Sequence, residues 1–173
     1  MDWTHPITFV AMKIFSFPPI SDANAQTLIL GTMPGERSLQ MKQYYGHNGN
    51  HFWKILFDLH GEVWTKDYER RTRLLQENRI AVWDVLKACQ REGSSDNAIL
   101  EEDANEFVEF FASHPGIRMI AFNGKNAAAF FEKYVGQRID LPRVILPSTS
   151  AANGWMTYDG KLAEWRKVFK GPV

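Results

Sequence analysis

The sequence predicts an α/β fold, a three-layer sandwich with a central, mainly parallel, four-stranded sheet flanked by helices. Three observations lead there. "TLILGT" is a continuous apolar run, as strands covered on both faces are, and three further short runs follow it: "RIAVWDV", "IRMIAFNG" and "RVILPSTS". Segments of ten or more residues with helical patterning separate these runs, which implies parallel strands with helices on both sheet faces. The chain has 173 residues, 45% of them hydrophobic, which is enough for one domain spanning 1–173 with a sizeable core and too little for two.

The elements follow in order. Residues 1–25 include "FSFPPISDANAQ", whose prolines and turn formers predict an extended N-terminal arm. "TLILGT" is the first strand, and a glycine-rich loop leads into "HFWKILFDLHG", where Phe52, Ile55, Leu56 and Leu59 share a helical face and Gly61 suits a C-cap. A charged helix near Lys66 to Glu77 precedes "RIAVWDV". Acidic "EEDANEFVEFFASHPG" reads as an amphipathic helix whose Glu101, Glu102 and Asp103 form a solvated first turn favoured by the macrodipole. The strand "IRMIAFNG", the helix "KNAAAFFEKYVG", the strand "RVILPSTS" with its polar loop, and the terminal helix "KLAEWRKVFK" complete the pattern.

Composition excludes several classes. Twenty basic and twenty acidic residues balance to a formal charge of zero, so any nucleic-acid binding must come from a local patch and not a global field. A lone cysteine, Cys89, rules out an intramolecular disulfide framework and a cysteine-based zinc site, and suits a reducing cytosol. No charged-then-apolar leader opens the sequence and no apolar run approaches roughly 18 residues. A cytoplasmic protein with no membrane partner is expected.

Ligands of such sheets bind beyond the carboxyl ends of the strands, and four polar or glycine signals fall there: Gly31 to Gly35, Asp84, Asn123 with Gly124, and Pro147 to Asn153. "GTMPG" offers backbone N–H groups for close approach to a ligand, or is a tight strand-to-helix turn; it lacks the phosphate-loop spacing and its Lys-Ser/Thr ending. In "YYGHNGNHFW", Tyr44 or Tyr45 could stack on a flat ring, Asn50 could orient a water, and Phe52 and Trp53 are core anchors. His47 and His51 lack a third metal ligand at usable spacing. Asn123 at a strand tip has an amide suited to a nucleobase edge. "LPSTSAAN" offers hydroxyls and amides for phosphate contact, or a helix N-cap. No G-x-S-x-G nucleophile elbow occurs.

Taken together these residues resemble the uracil-DNA glycosylase superfamily. "GTMPG...YYGHNGNHFWKIL" is similar to the first motif region of its mismatch-specific uracil and thymine glycosylases, a G-x-N-P-G loop followed by an N-x-F-W helix start. "FNGK" and "LPSTSA" resemble later motifs, and "WDVLKACQREGSSDNAI" resembles the hypoxanthine-DNA (deoxyinosine) glycosylase branch; the likeness spans Leu28 to Phe169. Met33 stands where the mismatch-specific enzymes carry a water-positioning Asn. The hypoxanthine branch also lacks that Asn, which implies that Asn50 takes over the catalytic work. Asn48 stands where that branch tends to have Pro. The superfamily often fills the gap left by a flipped base with Arg or Leu near the end of the last motif, where this chain offers only Ala152 and Asn153.

The resemblance implies a monofunctional DNA glycosylase that flips a deaminated base, hypoxanthine before uracil, out of double- or single-stranded DNA. It implies a monomer, no cofactor and no metal. Asn50 is the expected catalytic residue, orienting water toward the anomeric carbon. Base contacts fall to Tyr45 by stacking, to Asp84 and Asn123 at the base edge, and to the N–H groups of Thr32 and Met33, which face the anion that develops on the leaving base. Ser148, Thr149, Ser150 and Asn153 are the expected phosphate and backbone contacts. No lysine presents itself as a lyase nucleophile. The alternatives are a uracil-DNA glycosylase of the mismatch-specific type and a catalytically silent nucleotide- or DNA-binding module.

Overall fold

The computed structural model describes residues 12–169. Its centre is a four-stranded sheet in the order β3-β2-β6-β7, formed by β2 (Thr27–Gly31), β3 (Ile80–Asp84), β6 (Met119–Asn123) and β7 (Arg143–Leu146). All three pairings are parallel. The apolar run of β2 is explained by its place: Leu28, Ile29 and Leu30 are buried between strands on both edges. Because the chain leaves β2 toward β3 on one side and returns to β6 on the other, the crevice at the carboxyl ends lies where such sheets take ligands.

Helices α1 (Glu36–Met41), α2 (Phe52–Leu59), α3 (Tyr68–Glu77), α4 (Phe107–Ser113), α5 (Lys125–Tyr134) and α6 (Tyr158–Val168) surround the sheet. Their aromatic contacts fall into two groups. Phe52 and Trp53 of α2 meet Trp165 of α6 and Tyr68 of α3 edge-on, whereas α4 and α5 meet through Phe107 and Phe131 and pack on Trp83 and Phe122 of the sheet. The expected sandwich is the observed one.

A second sheet was not legible in the sequence. Strands β1 (Lys13–Phe15), β4 (Leu86–Gln90) and β5 (Leu100–Ala104) form an antiparallel sheet in the order β1-β4-β5. The expected helix "EEDANEFVEFFASHPG" therefore begins only at Phe107, and its acidic start is strand β5. Cross-sheet partners hold those carboxylates: Lys13 Nζ lies 2.7 Å from Asp103, and Glu102 accepts from Lys133 at 2.6 Å and Tyr134 at 2.9 Å. Strand β4 hid because only Val85 separates it from β3.

The N-terminal arm falls partly outside the described residues, at 1–11. Its remainder supplies β1 and then a bridge at Ile20, whose N–H and C=O both bond Val82. That contact closes the outer edge of β3, an edge otherwise open to pairing with another chain. Helix α6 begins at Tyr158, capped by Thr157, whose hydroxyl accepts from Gly160 N at 3.1 Å. Among the described residues no helix is long and apolar enough to cross a membrane.

Candidate active site

Register brings the strand-tip residues together. Gly31 pairs with Asp84, and Asn123 pairs with Leu146 just ahead of Pro147 and Ser148. A Cβ on Gly31 would lie 2.6 Å from Asp84 Oδ1 and 2.8 Å from the Tyr45 hydroxyl, so only glycine admits both side chains over the end of β2. Gly124 has φ +97°, and a Cβ there would meet Ser148 at 3.1 Å. The two glycines keep the crevice floor free of side chains.

Tyr45 reaches this floor from a left-handed backbone conformation, φ 53°, that non-glycine residues rarely hold. Its flanks are clamped. Trp53 Nε1 donates to Tyr44 O at 2.8 Å, Tyr44 N donates to the Tyr68 hydroxyl at 3.0 Å, and Gly46 N donates to Ser38 Oγ at 3.0 Å. The Tyr45 ring stacks on Phe52 with centroids 3.8 Å apart and planes at 22°. Tyr44 is core: its hydroxyl reaches the carbonyls of Phe17 and Pro18.

Three buried polar atoms around this floor have no protein partner: Tyr45 Oη, Asp84 Oδ2 and Arg91 Nη1. Each such orphan costs about 1–3 kcal/mol, and together they offer donors and an acceptor to a ligand. Burial, and then the charge of Asp96, pushes the Asp84 carboxyl up to about 7 against the opposing pull of Arg91. Arg91 braces the first loop, with Nε donating to Gly93 O at 2.9 Å and Nη2 to Pro34 O. The loop is pinned further by Val85 N to Gly31 O at 2.8 Å and Leu86 N to Thr32 O at 3.1 Å. Among the described residues the N–H groups of Thr32 and Met33 donate to no protein acceptor.

Asn50 is held by a hydrogen-bond chain whose direction is fully determined. Asn123 Oδ1 accepts from Thr149 N at 2.9 Å, so its Nδ2 must be the donor to Thr149 Oγ1, also at 2.9 Å. The Thr149 hydroxyl thereby accepts from Asn123 and spends its own proton on Asn50 Oδ1 at 2.8 Å. Asn50 Oδ1 also accepts from Phe52 N at 2.9 Å. Both lone pairs of that oxygen are taken, and the free end of Asn50 is its NH2 group, a pure donor.

This chain corrects one expectation. Thr149 is 0% exposed and both its N–H and its hydroxyl are spent inside the protein, so it has no group left for a DNA phosphate; it orients Asn50 instead. The neighbours stay on the surface side. Ser148 Oγ and Ser150 Oγ accept from Ser150 N and Ala152 N, each at 3.2 Å, which leaves their hydroxyl protons to donate. Asn153 braces the loop through Nδ2 to Ser148 O at 2.9 Å and is not a helix cap. His47 Nδ1 accepts from Gly49 N at 2.9 Å within its own loop, and among the described residues no cluster suited to a metal occurs.

Sequence reasoning missed Arg91, hidden in a stretch without periodicity, and Lys161, a buried residue of α6 whose Nζ donates to Ser150 O at 3.2 Å. It also passed over Trp155, 80% exposed on the loop after Asn153. A tryptophan directly after the run Ala151, Ala152, Asn153 and Gly154, in a segment that reads as loop, was the available signal.

A parallel sheet with polar groups gathered at the carboxyl ends of its strands agrees with what comparison finds. The uracil DNA glycosylase superfamily model matches residues 18–169, and the chain belongs to that superfamily. Two proteins named hypoxanthine DNA glycosylase are similar to it. One from Methanosarcina barkeri is 36% identical over 92% of this chain and 99% of its own length, and one from Methanosarcina acetivorans is 37% identical over 89% and 96%. A solution NMR structure described as a candidate uracil DNA glycosylase of Methanosarcina acetivorans superposes with a TM-score of 0.79. It is 36% identical, covering 92% of this chain and 98% of that one.

Two outcomes are expected. The native state binds the Asp84 proton more tightly than the unfolded chain, so stability falls as pH rises from about 4 to about 7 and then levels. The Asp84→Asn variant should lose that slope and be more stable at pH 8, by up to about 4 kcal/mol; denaturant melts at pH 5 and pH 8 check it, and an unchanged slope would remove Asp84 as its source. In Thr149→Val, Asn50 loses one anchor and Asn123 Nδ2 loses its acceptor while Asn123 Oδ1 keeps its backbone bond, at a cost of about 1–3 kcal/mol. Its single-turnover base-release rate should drop at least tenfold with DNA affinity unchanged, and Thr149→Ser should restore it; a loss of affinity with a normal rate would contradict a positioning role.

Proposed function

We propose that the chain acts as one monomeric glycosylase domain that hydrolyses the N-glycosidic bond of deoxyinosine in DNA, releasing hypoxanthine and leaving an abasic site. Membership of the superfamily and the names of the relatives make it a DNA glycosylase, a hydrolase of deaminated bases. The observation that carries the mechanism is the fixed direction of Asn50: its carbonyl is spent inside the protein, its NH2 end is free, and it lines one cleft with Tyr45. An amide is no base near neutral pH, so Asn50 works by donating to a water oxygen and holding it toward the anomeric carbon while a second lone pair forms the C–O bond as the C–N bond breaks; the proton that the water sheds passes through solvent to the base that departs as an anion.

The flipped base lies against the face of Tyr45 opposite Phe52. Ionised Asp84 accepts from N1–H of hypoxanthine, and its desolvated setting makes that bond strong. As the bond to the sugar breaks, negative charge grows on the base, and the unpartnered N–H groups of Thr32 and Met33 are placed to receive it. Asn123, tied to Thr149 through both ends of its amide, supports the pocket wall as well as touching the base. Ser148 and Ser150 donate their hydroxyl protons to flanking phosphates. Trp155, the large exposed apolar side chain of that loop, enters the gap left by the flipped nucleotide, as wedge residues do in other base-unstacking proteins.

Duplexes carrying one deoxyinosine or one deoxyuridine in the same flanking sequence, incubated with enzyme and treated with hot alkali, test the reading. Cleavage at deoxyinosine is expected, faster than at deoxyuridine; binding without cleavage would point to a silent module. Asn50→Ala should lower the rate by a factor of about 100 or more. Asn50→Asp keeps both anchoring bonds and removes the donor, so it should also lose at least a factor of ten; full activity in that variant would show that donation is not what Asn50 supplies. Trp155→Ala should reduce flipping, read as a smaller fluorescence rise of 2-aminopurine at the target position, with the fold intact. An unchanged rise would take the wedge role from Trp155.

A further inference from the structure

Helix α3 carries three arginines, and they divide unequally. Arg70 pairs with Glu62 at 3.1 Å and Glu77 at 3.0 Å, and Arg73 pairs with Glu69 at 3.0 Å. Arg71 is the buried one, 8% exposed, and among the described residues it has no carboxylate partner within salt-bridge distance. Its Nε donates to Thr65 O at 2.8 Å, and its guanidinium lies 5.7 Å from the Trp53 ring and 5.4 Å from the Trp64 ring. Its two terminal nitrogens have no protein acceptor among the described residues.

Arg71 lines a cleft of about 320 Å³, a size within the range of small-ligand sites. Lys66, also in no ion pair among the described residues, and Trp64, 43% exposed, line the same cleft, with Tyr45 and Asn50 among its other lining residues. Packing alone does not require this arrangement. A methionine would fill the space between the indoles without the desolvation that pushes the Arg71 pKa down. A dry cation with open donors, a second cation and an exposed indole is the chemistry of a nucleotide site: phosphate for the charges, a base face for the ring.

We infer that the Arg71, Lys66 and Trp64 wall of this cleft holds the nucleotide next to the one being hydrolysed, with its phosphate on Arg71 and Lys66 and its base stacked on Trp64, while Tyr45 and Asn50 serve the target nucleotide itself. The assignment rests on the glycosylase reading, because Asn50 lines the same cleft and fixes where the target sugar lies. It gives the electrically neutral chain a local cationic patch in the same cleft as Tyr45 and Asn50, beside the crevice that takes the target.

Affinity for a deoxyinosine duplex over a salt series, together with the single-turnover rate at saturating enzyme, decides the matter in Arg71→Met, Lys66→Gln and Trp64→Leu. Each variant is expected to bind about tenfold more weakly at an unchanged saturated rate. Each loss of charge should also lower the slope of log affinity against log salt by about one, and Trp64→Leu should leave that slope intact. Inorganic phosphate added to wild type at fixed ionic strength tests for a free-anion site; weaker DNA binding in wild type and not in Arg71→Met supports Arg71 as a phosphate ligand. Should Arg71→Met fail to fold, Lys66→Gln and Trp64→Leu carry the test. Wild-type affinity and slope in folded variants, with normal cleavage, would overturn the cleft assignment and leave the glycosylase standing. A wild type that neither binds nor cleaves the duplex would overturn both.

Discussion

The Thr149 hydroxyl joins three distant segments, and the site depends on the direction of its proton. Asn123 at the end of β6 donates to it, and it donates to Asn50 at the start of α2. One backbone bond to each amide oxygen, from Thr149 N and from Phe52 N, forbids either amide from flipping. Thr149 O also accepts from His51 N at 2.9 Å, so the loop after β7 and the start of α2 are tied twice. In a buried setting such a chain is strong when complete and costly when broken. Here it is complete, and it determines which end of the Asn50 amide is left free.

Around that ordered chain the protein leaves polar groups deliberately unsettled. Tyr45 sits in a strained backbone conformation with its hydroxyl unpaired, Asp84 is desolvated until its carboxyl titrates near neutrality, and Arg91 keeps one buried donor idle. Each feature lowers stability, and each is held in place by stronger surroundings: the Tyr45–Phe52 stack, the strand register that fixes Asp84, and the carbonyls of Pro34 and Gly93. Strain and perturbed acidity of this kind concentrate at functional sites. The central sheet tolerates them because its apolar core lies between two groups of helices, below the crevice.

Met33 illustrates how a loop changes role without changing shape. Its side chain is buried with the core, and it contributes nothing polar where the mismatch-specific relatives resembled by this chain carry an asparagine. Its N–H, like that of Thr32, meets no acceptor among the described residues, in a loop pinned by β4 and Arg91. The polar amide side chain nearby is that of Asn50, whose oxygen is spent on Phe52 N and Thr149 Oγ1. The second sheet thus has a functional consequence, since β4 and the loop after it are what hold the first loop still.

The sequence by itself determined the parallel sheet, the gathering of polar and glycine residues at its strand tips, and the core anchors Phe52 and Trp53, because continuous apolar runs and glycine punctuation are local signals. It also singled out Asn50, Asp84 and Tyr45, through motif order. It could not find β5, whose acidic residues look helical until Lys13 and Lys133 neutralise them from distant parts of the chain. It placed Thr149 with its serine neighbours, although burial separates them. Only tertiary structure decided which hydroxyl faces inward, which of three helix arginines lacks a carboxylate, and which end of the Asn50 amide is free. Those are properties of partners brought together from as far as 99 residues apart in sequence, and no local pattern encodes them.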